Sequence, residues 1–100
     1  MDTQLFALNE YCSIHRLDPT FIHSLEEEGL IIVIERENTK YIEEEQLQQL
    51  EIFTRWHVDM GVNPQGIDAM NHLLEKLRAL KEELNDLKHR LRLYEPGNII

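Results

Sequence analysis

The chain has 100 residues, of which 29% are charged, and its formal net charge at pH 7 is -9. A chain of this length forms one small domain, whose core is too small for an enzyme cleft together with a separate substrate domain. The single cysteine excludes a disulfide framework within the chain. No N-terminal stretch combines basic residues with an apolar run, so we expect a cytoplasmic protein that is neither secreted nor membrane-spanning.

The negative charge is unevenly distributed along the chain. Residues 1–59 contain thirteen acidic and four basic side chains, a difference of -9, whereas residues 60–100 contain six of each. Nonspecific nucleic-acid binding depends on Lys and Arg side chains that neutralise phosphates, so an acidic N-terminal part disfavours it. The charge either forms a binding surface for a basic partner or only keeps the protein soluble.

The first predicted helix extends from Glu10 to about Arg16, and Asn9 is a residue type that caps helices at their N-terminal end. This helix is expected to bury Tyr11, Cys12 and Ile14. Because no partner residues for thiol chemistry accompany Cys12, we interpret it as a small core residue and not as a nucleophile.

The second predicted helix opens with Asp18 as its cap and Pro19 in its first turn, and Gly29 ends it. The apolar positions expected in the core are Phe21, Ile22 and Leu25. Its last turn carries three consecutive carboxylates, namely Glu26, Glu27 and Glu28. The helix dipole disfavours negative charge there, so these residues indicate either a binding surface or an acidic face that only contacts solvent.

A small β-hairpin and a third helix follow. Residues 30–35 form a β-branched apolar run, residues 40–42 a short return strand, and residues 37–38 the turn between them. The third helix begins with Glu43, Glu44 and Glu45, which the positive N-terminal end of a helix favours. Apolar residues then recur at helical spacing, namely Leu47, Leu50, Phe53, Trp56 and Met60. Gly61 is expected to end this helix.

The last third of the chain contains the strongest pattern. Asn63 is expected to cap a helix that begins at Pro64 and extends for about 45 Å, until Pro96-Gly97 closes it. Apolar residues alternate along it at spacings of three and four, as in a coiled-coil seam. The seam consists of Met70, Leu73, Leu77, Leu80, Leu84, Leu87, Leu91 and Tyr94. Burying each leucine contributes about 1.5–3 kcal/mol, which favours self-association over packing of the helix against the chain's own N-terminal part.

No motif for catalysis, metal binding or nucleotide binding occurs in the sequence. Walker loops, GxGxxG, CxxC, HExxH and GxSxG are all absent. The histidines never fall three or four residues apart, so no helix face presents two imidazoles to one metal ion. We therefore expect no enzyme activity, no cofactor and no metal site.

The order of these elements resembles the winged helix-turn-helix of the MerR type. Residues 8–11, Leu-Asn-Glu-Tyr, are similar to that family's opening helix, and residues 25–31, Leu-Glu-Glu-Glu-Gly-Leu-Ile, resemble its Tyr-Glu-Glu-x-Gly-Leu-Leu ending. Residues 41–50 resemble its passage from wing to third helix, and residues 60–67 its next turn. The resemblance implies a mainly α fold, with a MerR-like winged helix head and a small β-hairpin wing at residues 1–62. A long dimerisation coiled-coil helix at 63–95 and a frayed tail at 96–100 are expected to follow.

The positions that read DNA in this family differ here. Where DNA-binding members carry Arg-x-Leu-Arg-Tyr-Tyr, residues 20–25 are Thr-Phe-Ile-His-Ser-Leu, and Arg16 stands in place of the usual turn glycine. A DNA-binding protein would be left with Thr20 and His23 on the helix and Arg36 and Lys40 on the wing. So few cations predict weak binding to phosphate.

The chain is more similar to the chaperone-modulator family of the CbpM type, which shares the acidic head, the hinge at residues 63–67 and a leucine-rich last helix. That resemblance implies a homodimer, joined by an antiparallel coiled coil, that binds the J-domain of a CbpA-type DnaJ homologue and restrains its co-chaperone activity. A MerR-family DNA-binding transcriptional regulator is the alternative. The expected partner surface combines acidic and apolar residues. These are Glu26, Glu27, Glu28, Glu43, Glu44, Glu45, Asp59, Phe21, Trp56 and Val62.

Overall fold

The structure, a computed structural model, describes residues 4–94. Its elements are β1 (Leu5–Ala7), α1 (Leu8–His15), α2 (Pro19–Glu27), β2 (Ile34–Arg36), β3 (Thr39–Glu43), α3 (Glu44–Met60) and α4 (Pro64–Tyr94). This order confirms the predicted fold class, which is mainly helical with a small hairpin and a long last helix. None of the described helices is long and apolar enough to cross a membrane.

The chain divides within α4 into two compact units. The first, which we call the head, ends at Asp68, and the second begins at Ala69. The division into a winged helix at residues 1–62 and a dimerisation helix at 63–95 concerns function and stays a prediction. The tail predicted to fray, residues 96–100, lies outside the described residues.

A three-stranded antiparallel sheet, in the order β1-β3-β2, forms the wing. The predicted turn joins β2 to β3 through Glu37 (φ 50°) and Asn38 (φ 65°), two left-handed residues of the kind that closes a tight hairpin. The first strand of the hairpin, β2, was predicted at residues 30–35 but begins only at Ile34. In the segment before it, the Gln46 side chain takes the place of a neighbouring strand. Its amide oxygen accepts from the Ile32 N–H at 2.8 Å, and its Nε2 donates to the Ile32 carbonyl at 3.1 Å.

The core of the head lies between its helices and the sheet. Leu25, Ile42, Leu50, Phe53 and Ile67 are 0% exposed, and burial of each contributes about 1.5–3 kcal/mol. The core is completed by Leu8, Tyr11, Cys12, Leu17, Phe21, Ile22 and Ile31. Ile67, in the first turns of α4, therefore joins the long helix to the head.

One residue predicted to be buried is exposed. Ile14 is 76% exposed, because α1 buries Leu8, Tyr11 and Cys12 and the side chain two residues beyond Cys12 points about 200° away around the helix. This expectation was wrong. Met60, the last of the apolar residues at helical spacing on α3, is 57% exposed because it lies at the end of that helix, beyond the core.

The predicted helix caps of α2 and α4 are confirmed. Asp18 Oδ1 accepts from the Thr20 N–H at 3.0 Å, and this hydrogen bond lowers the pKa of the Asp18 carboxyl. Asn63 Oδ1 accepts from the Gly66 N–H at 2.8 Å. Asn9 is not the cap of α1, since that helix begins at Leu8 and Asn9 Oδ1 binds the neighbouring Glu10 N–H instead.

Left-handed residues end two of the helices. Gly61 has φ 69° and ends α3, as predicted, and its N–H donates to the His57 carbonyl at 3.0 Å. Arg16 ends α1 with φ 55° and ψ 48°. A side chain with a Cβ is strained in this conformation, which explains why glycine suits the same turn.

In the second unit, residues 69–94 form a single helix that is exposed except at the half-buried Met70, Asn71 and Leu74. α4 extends over 31 residues, and its buried residue, Ile67, lies on the head side of the division. The seam leucines are between 52% and 62% exposed, and Tyr94 is 85% exposed. Within one chain the predicted apolar stripe is thus uncovered from Leu73 onward, while Met70 is half-buried.

Candidate partner-binding site

Acidic side chains dominate the end of α2 and the adjoining wing. Glu26 Oε1 lies 3.6 Å from Lys40 Nζ on β3 and 3.9 Å from His23 Nδ1, and Glu27 Oε2 lies 3.6 Å from His23 Nε2. All four side chains are partly or largely exposed, so the Lys40–Glu26 ion pair contributes at most about 1 kcal/mol. Two of the side chains considered for DNA binding are therefore engaged by carboxylates.

These contacts explain how the chain tolerates three carboxylates at a helix C-terminus. Glu28 is the C-terminal cap of α2, and its backbone N–H donates to the Ser24 carbonyl at 3.0 Å. Gly29, with φ 77°, then turns the chain away. The ammonium of Lys40 offsets part of the repulsion between the Glu26 carboxylate and the negative helix end.

The second predicted group, Glu43, Glu44 and Glu45, lies where β3 passes into α3. Glu43 is the N-terminal cap residue without a side-chain capping bond, and the Glu44 N–H donates to the Gln4 carbonyl at 3.0 Å. Among the described contacts, none joins this group to residues 26–28. Lys40, beside Glu26, is three residues from Glu43 along β3, on the order of 10 Å. The head thus presents two acidic groups.

The apolar residues predicted as anchors lie mostly in or against the core. Phe21 is 4% exposed and stacks on the His57 ring, with centroids 4.1 Å apart, so it is not an exposed anchor as predicted. Trp56, half-buried, contacts Phe53 with centroids 5.9 Å apart. Val62 is half-buried too, and its carbonyl lies 2.8 Å from His57 Nδ1. Asp59, the acidic residue predicted to contact a partner near the hinge, is exposed.

The remaining residues of the DNA-binding alternative are exposed. Thr20 lies at the start of α2, where its N–H is used by the Asp18 cap. Arg36 ends β2 next to the hairpin turn. Thr20 is uncharged, and Arg36 adds one cation to the wing, against the three carboxylates of residues 26–28.

A cavity of about 470 Å³ lies between α1, α2 and the wing. Leu8, Cys12, Pro19 and Ile22 supply apolar lining, and Glu26 is a further lining residue. Burial raises the pKa of the Cys12 thiol, which keeps it protonated and unreactive. Sequence reasoning missed this cavity because its lining comes from three separate elements.

The candidate dimerisation residues lie on the second unit. Beside the seam, the helix surface carries both signs of charge, and Asp86 pairs within the helix with Arg90 at 3.1 Å. In the described part of the chain, no three His, Cys, Asp or Glu side chains are grouped so that they could hold a metal ion. The chemistry available is therefore that of charged and apolar contact surfaces.

A family model described as MerR HTH family regulatory protein matches residues 6–89. The match begins within β1 and ends within α4, so it covers the head and most of the long helix. No curated protein and no solved structure matches the chain significantly.

Proposed function

We propose that this chain, which belongs to the MerR HTH family of regulatory proteins, regulates by binding another protein and not DNA. The proposed partner is the J-domain of a CbpA-type DnaJ-homologue co-chaperone. The chain acts on it as a homodimer and restrains its activity. This finer assignment follows from the resemblance to the CbpM-type chaperone modulators.

The observation that carries the proposal is the charge on α2. This helix contains Glu26 and Glu27 but no Lys or Arg, and its neighbour on the wing, Lys40, lies 3.6 Å from Glu26. A helix that enters a DNA groove needs cations to neutralise phosphates. The same carboxylates complement a basic protein surface.

The proposed mechanism is competition for a basic helix. J-domains present such a helix to their Hsp70, and carboxylates at residues 26–28 and 43–45 attract it. Electrostatic steering speeds this association and makes it decrease with added salt. While the dimer occupies the helix, the Hsp70 has no access to it.

The homodimer is proposed from the exposed seam of α4. Six leucines, from Leu73 to Leu91, are each more than half exposed along one side of the helix, and a second copy offers an identical stripe to cover them. The antiparallel orientation is the one that the MerR resemblance implies.

Calorimetric titration of the purified dimer with the J-domain tests the proposal. Charge reversal by Glu26→Lys, Glu27→Lys or Glu43→Lys should weaken binding by about 1 kcal/mol or more for each true contact. Glu82→Lys is the matched control, because Glu82 is exposed on α4 and lies outside the seam. An affinity that none of the three substitutions changes would remove these groups from the interface, and no binding by the unsubstituted protein would refute the proposed partner.

A DNA-binding transcriptional regulator is the second candidate. It is favoured by the helix-turn-helix family itself and by the exposed wing cations Arg36 and Lys40. Nanomolar binding to a palindrome from the protein's own promoter would favour this candidate over the co-chaperone modulator.

A further inference from the structure

A groove runs along the outer surface of the head between α1 and α3. It consists of two adjoining cavities, of about 190 and 250 Å³, that share Tyr11, His15 and Glu51. Its lining on α3 extends from Leu47 to Asp59, thirteen residues and about 18 Å. This length accommodates about three turns of a helix, and we call it the α1–α3 groove.

The polar groups at the floor of the α1–α3 groove are hydrogen-bonded to one another. The Tyr11 hydroxyl forms a hydrogen bond with Thr54 Oγ1 at 2.8 Å. The Thr54 hydroxyl in turn donates to the Leu50 carbonyl at 2.8 Å. Burial raises the pKa of the Tyr11 hydroxyl, which therefore stays protonated. A partner entering the groove has no buried polar group to satisfy at this floor.

Two large aliphatic side chains of the groove point into solvent. Ile14 on α1 is 76% exposed and Val58 on α3 is 59% exposed. Leu47 adds a half-buried apolar surface to the lining. Ile14 lines one of the two cavities and Val58 the other, so each half of the groove carries an exposed aliphatic side chain.

The charged groups around this apolar surface are mainly acidic. Glu10, Glu51 and Asp59 contribute three carboxylates, while Arg55 contributes one guanidinium and His15 one imidazole. The groove thus favours a cationic occupant, and its position between two helices suits an inserted helix.

We propose that the α1–α3 groove binds one amphipathic helix with lysines or arginines beside its apolar face. The helix places aliphatic anchors against Ile14 and Val58 and its cations against Glu10, Glu51 and Asp59. The groove lining contains none of residues 26–28 and 43–45 and shares only Asp59 with the surface predicted for the J-domain. The inference rests on the cavity and its lining, so it does not depend on the J-domain assignment.

The probe is a synthetic helical peptide of about 14 residues, with leucines spaced three and four apart and lysines elsewhere. Titration into the full-length protein, followed by NMR of isoleucine and valine methyl groups, should shift the signals of Ile14 and Val58 but not that of Ile32. A peptide of the same pattern with glutamates in place of lysines should produce no shift, because the acidic rim repels it.

Matched substitutions distinguish groove binding from general apolar adhesion. Ile14→Glu and Val58→Glu should each weaken peptide binding about tenfold or more, and both side chains are exposed enough to leave the fold intact. Ile32→Glu is the control, since Ile32 is 68% exposed on the segment before β2 and outside the groove. The Ile32→Glu variant should bind the peptide with unchanged affinity.

Two results would overturn the inference. One is peptide affinity that falls equally with Ile32→Glu, or that neither groove substitution changes. The other is a shift of the monomer–dimer equilibrium by Ile14→Glu, which would show that a second copy of the chain occupies the groove. Failure of the J-domain titration would leave these outcomes unaffected, so the two proposals fail separately.

Discussion

The proposed dimer is tested most directly by placing lysines in the middle of the seam, with Leu80→Lys and Leu84→Lys in one variant. In the single chain these side chains are 59% and 52% exposed, so a second copy can still bury about half of each. Full burial of a leucine contributes about 1.5–3 kcal/mol, and the remaining half about 1 kcal/mol. A dimer contains four such side chains, so the variant loses on the order of 4 kcal/mol, in addition to the cost of four ammonium groups in the seam.

A loss of about 4 kcal/mol weakens the dimer roughly a thousandfold. Sedimentation equilibrium at micromolar concentration should therefore find a dimer for the unsubstituted protein and a monomer for the double variant. Leu93→Lys is the matched control, because Leu93 is 69% exposed on the same helix but lies outside the seam. An unsubstituted monomer, or a dimer that survives both seam substitutions, would refute the reasoning.

Two further predictions concern DNA binding and the left-handed turn. A gel-shift titration at physiological salt should find weak DNA binding with a shallow salt dependence, since Arg36 and Lys40 are the main phosphate contacts available on the wing. Tight, steeply salt-dependent binding would contradict this. Arg16→Gly should raise the free energy of unfolding, measured by urea denaturation, by up to about 1 kcal/mol, because it removes the strain at φ 55°. The higher entropy that glycine gives the unfolded chain offsets part of this gain. Arg16→Ala keeps the strain and should give no such increase, so equal stabilisation by alanine would contradict the explanation.

The positions of helix ends could be predicted from the sequence because they depend on local chemistry. Asp18-Pro19 and Asn63-Pro64 start α2 and α4 where the capping rules place them, and Gly61 ends α3 as expected. Asn9 failed as a cap since β1 pairs with β3 up to Ala7, and the helix begins directly after it. Strand pairing between distant residues thus overrode a local preference.

Burial was harder to predict than helix position. The seam of α4 keeps a strict spacing over a long helix, and its outline was clear from sequence. In the short helix α1, an apolar Ile14 was assigned to the core although the buried face consists of Leu8, Tyr11 and Cys12. The reverse happened at Phe21, which was expected to contact a partner but packs on His57. A short helix has too few apolar residues to show which face is buried, so its tertiary contacts decide which side chains enter the core.

The candidate surfaces were predicted only in part for a similar reason. The runs of carboxylates at residues 26–28 and 43–45 are visible in the sequence. The sequence does not show that Lys40 pairs with Glu26, and this contact places the first run three residues along β3 from Glu43. The α1–α3 groove combines β1, α1 and α3, whose residues lie up to about 50 positions apart. Its exposed anchors, Ile14 and Val58, become recognisable once the packing of α1 shows which side faces solvent.

Under the proposed function, the Lys40–Glu26 ion pair at the end of α2 gives a basic protein partner an advantage over DNA, because the two would have to displace different groups. Because the Lys40–Glu26 pair is partly exposed, with side chains 45% and 35% accessible, it stabilises the head by at most about 1 kcal/mol. A cation from a basic helix can replace Lys40 beside Glu26 and keep that carboxylate paired. A phosphate that binds Lys40 instead leaves Glu26 without this partner and must approach Glu27 as well, so repulsion opposes it. Under the proposed function, Lys40, Glu26 and Glu27 would therefore assist a basic partner and oppose a nucleic acid.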